Sequence, residues 1–240
     1  MAGIFLRVWR WAIRLLLLLL IVDLFYVALT WPDWNRLAAG PVPKSKFISA
    51  YQASRLVDHN RPGLRWQPVS LMEMPAYLRR AVIVAEDSRF YQHGGFDLIA
   101  FKEAMDYNVS RRRLALGAST ISQQTVKNMF LSSSRNPLRK WHELLLTWGM
   151  ERNLTKNRIL EIYLNVAEFG PGIYGVEAAA RAYWGKSVSR LTPVEAAELA
   201  AALPSPKKNN PATRTQRFKK RVQKISGFLV RFGNRPSDDP

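Results

Sequence analysis

From Trp11 to Trp31 the chain is an almost unbroken apolar run, interrupted only by Arg14 and Asp23. That is about the ~20 residues a helix needs to cross a bilayer. Arg14 is near the start, where its stem can reach the headgroups, whereas Asp23 costs about 3 kcal/mol on insertion scales unless it is protonated or paired. Arg7, Arg10 and Arg14 precede the run with no acid before them. The positive-inside rule therefore expects residues 1–10 as a short cytoplasmic tail, a single spanning helix over 11–31, and the large C-terminal part outside the membrane. The alternatives are a surface-lying segment or a cleaved signal peptide. No small-x-small site closely follows the run; Trp31-Pro32-Asp33-Trp34 follows instead, and its two tryptophans suit a membrane interface.

The 240 residues, 48% of them hydrophobic, are enough for one sizeable core beyond that helix. Thirty-six Lys and Arg against 18 Asp and Glu leave +18, which predicts attraction to a polyanion: nucleic acid, anionic lipid headgroups or a pyrophosphate-bearing substrate. With no cysteine there is no disulfide framework, thiolate nucleophile or Cys-ligated metal.

Residues 32–70 read as irregular, broken by Pro32, Pro41, Pro43, Pro62 and Pro68, and form either a stalk or the first layer of the domain. From Pro75 the signal turns helical and stays so, within a domain expected to run over residues 71–240. Leu78, Ala81, Val82 and Ala85 recur at helical spacing after Pro75 and deliver Glu86 and Asp87 at a helix end. A second helix is expected from Phe96 to about Arg113, ending in Arg111-Arg112-Arg113. Asn136-Pro137 reads as a cap with proline at the first helical position, starting a helix to about Arg152. Thr155 caps another over Lys156 to Val166, and Thr192-Pro193-Val194-Glu195 opens an Ala-rich helix that stops near Pro204. No sustained strand alternation is visible, so the expected class is mostly α.

Glu86 is at the edge of its helix's apolar stripe, where partial burial raises a carboxyl pKa and makes a better base near neutrality. The alternative is a solvent-facing Glu paired with Arg89. His93, before the Gly94-Gly95 turn, either ties the loop or meets substrate. If residues 120–128 are helical, Thr120, Gln123, Gln124, Lys127 and Asn128 fall largely on one face, suited to sugar hydroxyls and a phosphate oxygen or simply to water. Arg139 and Glu143, four apart, are either a surface ion pair or, with Lys140, part of a diphosphate site. Arg158, Glu161 and Asn165 share another face and read as a polar network holding the site together or touching substrate directly. Lys207-Lys208 and Arg217-Phe218-Lys219-Lys220-Arg221 read as a basic solvated surface.

The ordered segments Glu86 to Gly95, Gly117 to Asn128, Arg139 to Glu143, Arg158 to Asn165 and Gly172 to Gly185 resemble the motif set of the peptidoglycan glycosyltransferases, the glycosyltransferase domain also found in bifunctional penicillin-binding proteins. The likeness covers residues 71–210. No Ser-x-x-Lys, Ser-x-Asn and Lys-x-Gly set follows in a penicillin-binding arrangement, so the resemblance is to the monofunctional, inner-membrane branch. It implies a lysozyme-like, two-lobed helical fold and polymerisation of lipid II onto a growing lipid-linked glycan, with β-1,4 linkage and release of undecaprenyl diphosphate. By that resemblance Glu86 is the general base and Glu143 the second essential carboxylate, stabilising the sugar cation or organising the basic groups. Asp87, His93, Thr120, Gln123, Gln124, Lys127, Asn128, Arg139 and Lys140 would bind substrate, and Phe90, Arg158, Glu161 and Asn165 would support them. No tightly bound cofactor is implied; a divalent cation, Mg²⁺ or Mn²⁺, at the diphosphate is left open. Expected partners are lipid II, inner-membrane lipids and cell-wall synthesis proteins, with the catalytic domain in the periplasm.

Two other classes compete. A tethered nucleic-acid or anionic-lipid binder fits the charge, but no helix-turn-helix, zinc motif or stacking sheet motif is present. A lysozyme-like hydrolase shares the fold class and a catalytic Glu, and differs in releasing fragments from finished glycan instead of lengthening it.

Overall fold

The computed structural model describes residues 2–111, 117, 119–134 and 136–232, in two compact units, Met1–Trp34 and Asn35–Pro240. The first is essentially helix α1, Ala2–Leu29. It begins well before Trp11, so most of the stretch expected as a tail is helical. Leu6–Leu29 is the part long and apolar enough to span a bilayer. After it, Trp31 and Trp34 meet edge to face with ring centroids 5.7 Å apart.

Residues 32–70 are less irregular than their prolines suggest. They hold α2 (Trp34–Ala39), α3 (Lys46–Val57) and the two-residue strand β1 (Arg65–Trp66). Every one of the five prolines falls outside these elements, so proline marks the boundaries of helices here without preventing them. Ser45 caps α3, and Ile48 and Tyr51 are buried where α3 packs on the second unit's core.

The remaining helices are α4 (Ala76–Glu86), α5 (Leu98–Ser110), α6 (Ile121–Phe130), α7 (Pro137–Asn153), α8 (Lys156–Val166), α9 (Val176–Trp184), α10 (Pro193–Ala202) and α11 (Gln216–Phe232). The expected caps hold at Asn136, Thr155 and Thr192. Helix α5 is capped by Asp97, not started at Phe96, and ends at Ser110; Arg112 and Arg113 of the basic run lie outside the described residues. Two further short strands, β2 (Glu168–Gly170) and β3 (Ile173–Tyr174), were not expected. They form a small sheet in the order β1-β3-β2, with β1 parallel and β2 antiparallel to β3. Strands of two or three residues are too short to display an alternating pattern. The chain is nonetheless predominantly α-helical.

Helix α8 lies at the centre: no residue of it is exposed, and Ile159, Leu160, Ile162 and Leu164 are fully buried. A helix enclosed on every side must satisfy its polar residues internally, and Asn165 does so. Its amide bonds both backbone groups of Val69, at 2.9 and 2.8 Å. Arg158 pairs with Glu161 at 2.9 Å and donates to the carbonyls of Leu37 and Gly40. The trio thus pins the segments before α3 and before α4 onto the core. Helices α6 and α7 pack beside α8, while α4 is held between α10 and α11.

Candidate active site

The site forms where the C-terminus of α4 meets the face of α6. Leu78, Ala81 and Val82 bury α4, which leaves Glu86 at its last turn facing inward with a side chain 10% exposed. It is not paired with Arg89, which forms a fork with Asp97 at 2.9 and 3.0 Å. Instead Gln124 of α6 donates to Glu86 Oε2 at 3.0 Å, and Tyr163 of α8 donates to the Gln124 Oε1 at 3.1 Å. The phenol fixes which way the Gln124 amide points, so its NH₂ faces the carboxylate. Arg221 of α11 donates to Glu86 Oε1 at 2.7 Å. Burial pushes the Glu86 carboxyl up; Gln124, Arg221 and Lys127 oppose that, and Asp87 adds to it.

Asp87 and His93 use their bonds on the loop. Gly95 N–H donates to His93 Nδ1 at 3.1 Å, which makes Nε2 the protonated nitrogen, and Nε2 donates to Asp87 Oδ1 at 2.9 Å. The other Asp87 oxygen accepts from the Ile121 N–H at 2.9 Å, at the first residue of α6. Thr120 caps α6, its hydroxyl donating to Gly95 O at 2.7 Å, and Gln123 closes the reciprocal cap by accepting from Thr120 N–H. The four side chains therefore couple the loop after Glu86 to the start of α6. Phe90 is fully buried beneath this loop, with Lys156 Nζ 4.5 Å from its ring centroid.

Beside Glu86 and reached through Gln124 is a polar cavity of about 250 Å³. Gln123, Gln124, Lys127, Arg139, Lys140 and Glu143 line it, with the serines at 132–134 along one wall. Glu86 and Asn128 are not lining residues; Asn128 is half-buried further along α6. Glu143 is no surface pair partner: its side chain is 4% exposed, Arg139 holds Oε2 at 2.7 Å, and Lys140 holds Oε1. Among the described residues Lys127 makes no ion pair of its own with an acid, and its desolvation pulls the ammonium pKa down, with Glu143 raising it and Arg139 and Lys140 lowering it. Arg139 Nε is buried without a hydrogen-bond partner among the described residues. Three cations around one carboxylate leave an excess of positive charge at the cavity, the condition for taking a polyphosphate.

For a metal, the donor set is poor. Asp87, His93 and Asp97 bring ligand atoms within 4.8 Å of one another, but those atoms already bond Ile121 N–H, Gly95 N–H, Ala100 N–H and Arg89. Both oxygens of Glu143 already face cations.

The residue that sequence reasoning misplaced is Arg221, assigned to a solvated basic surface. The signal that could have found it is the spacing of Phe218, Ile225 and Leu229, which bury one face of α11 and put Arg221 beside that face, three residues after Phe218. Tyr163 and the serine wall were also missed.

The site is a basic cavity beside a buried carboxylate in a helical domain, and the sequence comparisons give the class of enzyme it belongs to. Residues 55–228 match the family model described as Transglycosylase. A protein of Marinomonas sp. (strain MWYL1) named biosynthetic peptidoglycan transglycosylase is 42% identical over 231 residues, 96% of this chain and 93% of its own. One of the same name from Methylobacillus flagellatus is 40% identical over 201 residues, covering 83% and 85%. Another from Aeromonas hydrophila is 54% identical over 141 residues, 59% of each chain. The chain belongs to the monofunctional biosynthetic peptidoglycan glycosyltransferase family.

Proposed function

We propose that this membrane-anchored glycosyltransferase polymerises lipid II into β-1,4-linked glycan, releasing undecaprenyl diphosphate. The observation that carries the reading is the pairing of one buried carboxylate, Glu86, with a separate cation-rich cavity around Glu143. In the proposed step Glu86 takes the proton from the GlcNAc 4-hydroxyl of incoming lipid II. The freed oxygen attacks C1 of the terminal MurNAc of the lipid-linked glycan. The C1–O bond to the diphosphate breaks with its electron pair, and the anomeric centre inverts in one displacement.

Lys127, Arg139 and Lys140 hold the departing diphosphate, whose charge grows as the bond breaks, so they bind the transition state more tightly than the ground state. Glu143 has two roles open to it: it keeps the three cations from repelling one another apart, and its carboxylate stabilises positive charge developing on the sugar. Asp87, His93 and Thr120 spend their bonds fixing the loop and the start of α6, a supporting role in this reading, while Gln123 both closes the cap and lines the cavity. Where a divalent cation takes part, substrate diphosphate oxygens are its fitting ligands.

The test is product direction. Detergent-solubilised protein incubated with labelled lipid II is expected to yield lengthening glycan, and Glu86→Gln to lower the rate by ~10²–10⁴ while remaining folded. Fragments released from finished peptidoglycan, or a folded Glu86→Gln retaining more than about a tenth of the rate, would overturn the reading.

A further inference from the structure

Glu86 has three neighbours able to stabilise its negative charge: Gln124, Lys127 and Arg221. Their obligations differ. Lys127 lines the cavity, where Glu143, Arg139 and Lys140 also act on its charge. Gln124 is neutral and is oriented by Tyr163. Arg221 alone among these brings a full charge from outside the cavity's lining, on a helix more than a hundred residues away in sequence.

Its placement is built in. Phe218, Ile225 and Leu229 bury α11 against α10 and α4, so Arg221, three residues after Phe218 and four before Ile225, projects along the end of α4. One guanidinium nitrogen, Nη2, donates both to Ala85 O at 3.0 Å and to Glu86 Oε1 at 2.7 Å. The last four carbonyls of a helix lack intrahelical donors, and its C-terminus favours a cation. Helix α4 has no basic residue of its own in the last turn, and α11 supplies one. Because the same nitrogen grips backbone and carboxylate, it ties the direction of the Glu86 side chain to the end of its helix.

We propose that Arg221 is a positioning residue for Glu86, holding the carboxylate ionised and aimed between turnovers while the cavity cations serve the leaving group. This rests on the reading of Glu86 as the base. The charged and titratable groups facing Glu86 are Asp87 beside it on the chain, Lys127 on α6, Tyr163 on α8 and Arg221 on α11. Removing Arg221 deletes a stabiliser of the ionised form and leaves burial and Asp87 acting the other way. The carboxyl pKa must then rise, and the acid limb of the pH–rate profile must move to higher pH.

The test compares wild type, Arg221→Gln and Arg221→Lys in the full-length, detergent-solubilised protein. Single-turnover rates on lipid II are measured against pH. The Glu86 carboxyl is titrated separately by ¹³C NMR of glutamate-labelled protein, with Glu86→Gln assigning its signal. Expected is an upward move of both the acid limb and the carboxyl titration in Arg221→Gln, a rate loss of about ten- to a hundredfold at neutral pH from a misaimed base, and restoration of the titration by Arg221→Lys. A uniform rate loss in Arg221→Gln with the limb and the titration unmoved would overturn the proposal and leave Arg221 a packing residue. If Arg221→Gln melts below the assay temperature, Arg221→Lys decides: it must keep the wild-type titration but lose rate through the changed reach, and an unchanged rate overturns the aiming role. A moved NMR titration in a protein that does not polymerise lipid II would uphold the pairing while refuting the assigned reaction.

Discussion

Lys127 and Glu86 show how burial makes opposite charges useful for different reasons. Desolvation raises the Glu86 carboxyl and lowers the Lys127 ammonium; each is held in a less comfortable charged state that the proposed reaction relieves, by taking a proton or by meeting a diphosphate. On that reading Lys127 matters to turnover and not to folding. Its lost interaction with the departing oxygens is on the order of a few kcal/mol in the barrier, or ~10²–10³ in rate. Lys127→Met is therefore expected to cut lipid II polymerisation by that factor while keeping the wild-type melting temperature or exceeding it, since a desolvated ammonium is replaced by an apolar group of similar length. Polymerisation near the wild-type rate, or a rate loss matched by unfolding, would return the leaving-group role to Arg139 and Lys140.

At the scale of elements, the device that makes the site is the coupling of the loop after α4 to the first turn of α6. Gly95 is its tightest point. It has φ +93°, and a Cβ there would come within 2.8 Å of Thr147 Cγ2 and 2.9 Å of Glu151 Cγ, both on α7. Gly95→Ala thus meets an unfavourable backbone conformation and an overpacked contact together, with an expected cost of about 1–3 kcal/mol. Chemical denaturation reads it directly, and an unchanged midpoint would mean that loop and α7 yield more freely than their packing implies. This coupling was only partly legible in the sequence. The helix ends were, because Asn136, Thr155 and Thr192 act locally on the backbone a few residues away. So was the place of Glu86 at the edge of its helix's apolar stripe, whereas the burial of Glu143 was not, because its spacing from Arg139 fits a surface pair equally well. What Asp87, His93 and Thr120 bond was not, since their partners are Ile121 N–H, Gly95 N–H and Gly95 O, and a side chain that meets substrate has the same local sequence as one that meets a loop. Arg221 was hidden for the same reason at longer range: 135 residues separate it from Glu86, and in a run of five residues with four cations nothing local marks the one that turns inward.

For the whole molecule the open quantity is orientation, and the charges near α1 pull both ways. Arg7, Arg10 and Arg14 precede most of the apolar run, while Arg36, Lys44 and Lys46 follow within about 20 residues of its end, with Asp33 among them. A simple count is close to even. The two groups are not equivalent, however, because the orientation rule applies to short flanks, and long segments translocate largely regardless of charge. Arg36, Lys44 and Lys46 belong to the unit Asn35–Pro240, so their number, like the net +18 of the chain, carries little weight against the three arginines of a flank with no acid. The second unit is therefore expected outside the cytoplasmic membrane, where exported lipid II is available to it. An alkaline phosphatase reporter fused after Pro240 is expected to be active in cells, and a reporter that works only in the cytoplasm to be silent there. Replacing Arg7 and Arg10 by Glu should shift part of the population to the reverse orientation, because it removes the short-flank bias and leaves the opposing charges in place. A fusion active only as the cytoplasmic reporter would reverse the topology and, with it, remove the enzyme from its proposed substrate.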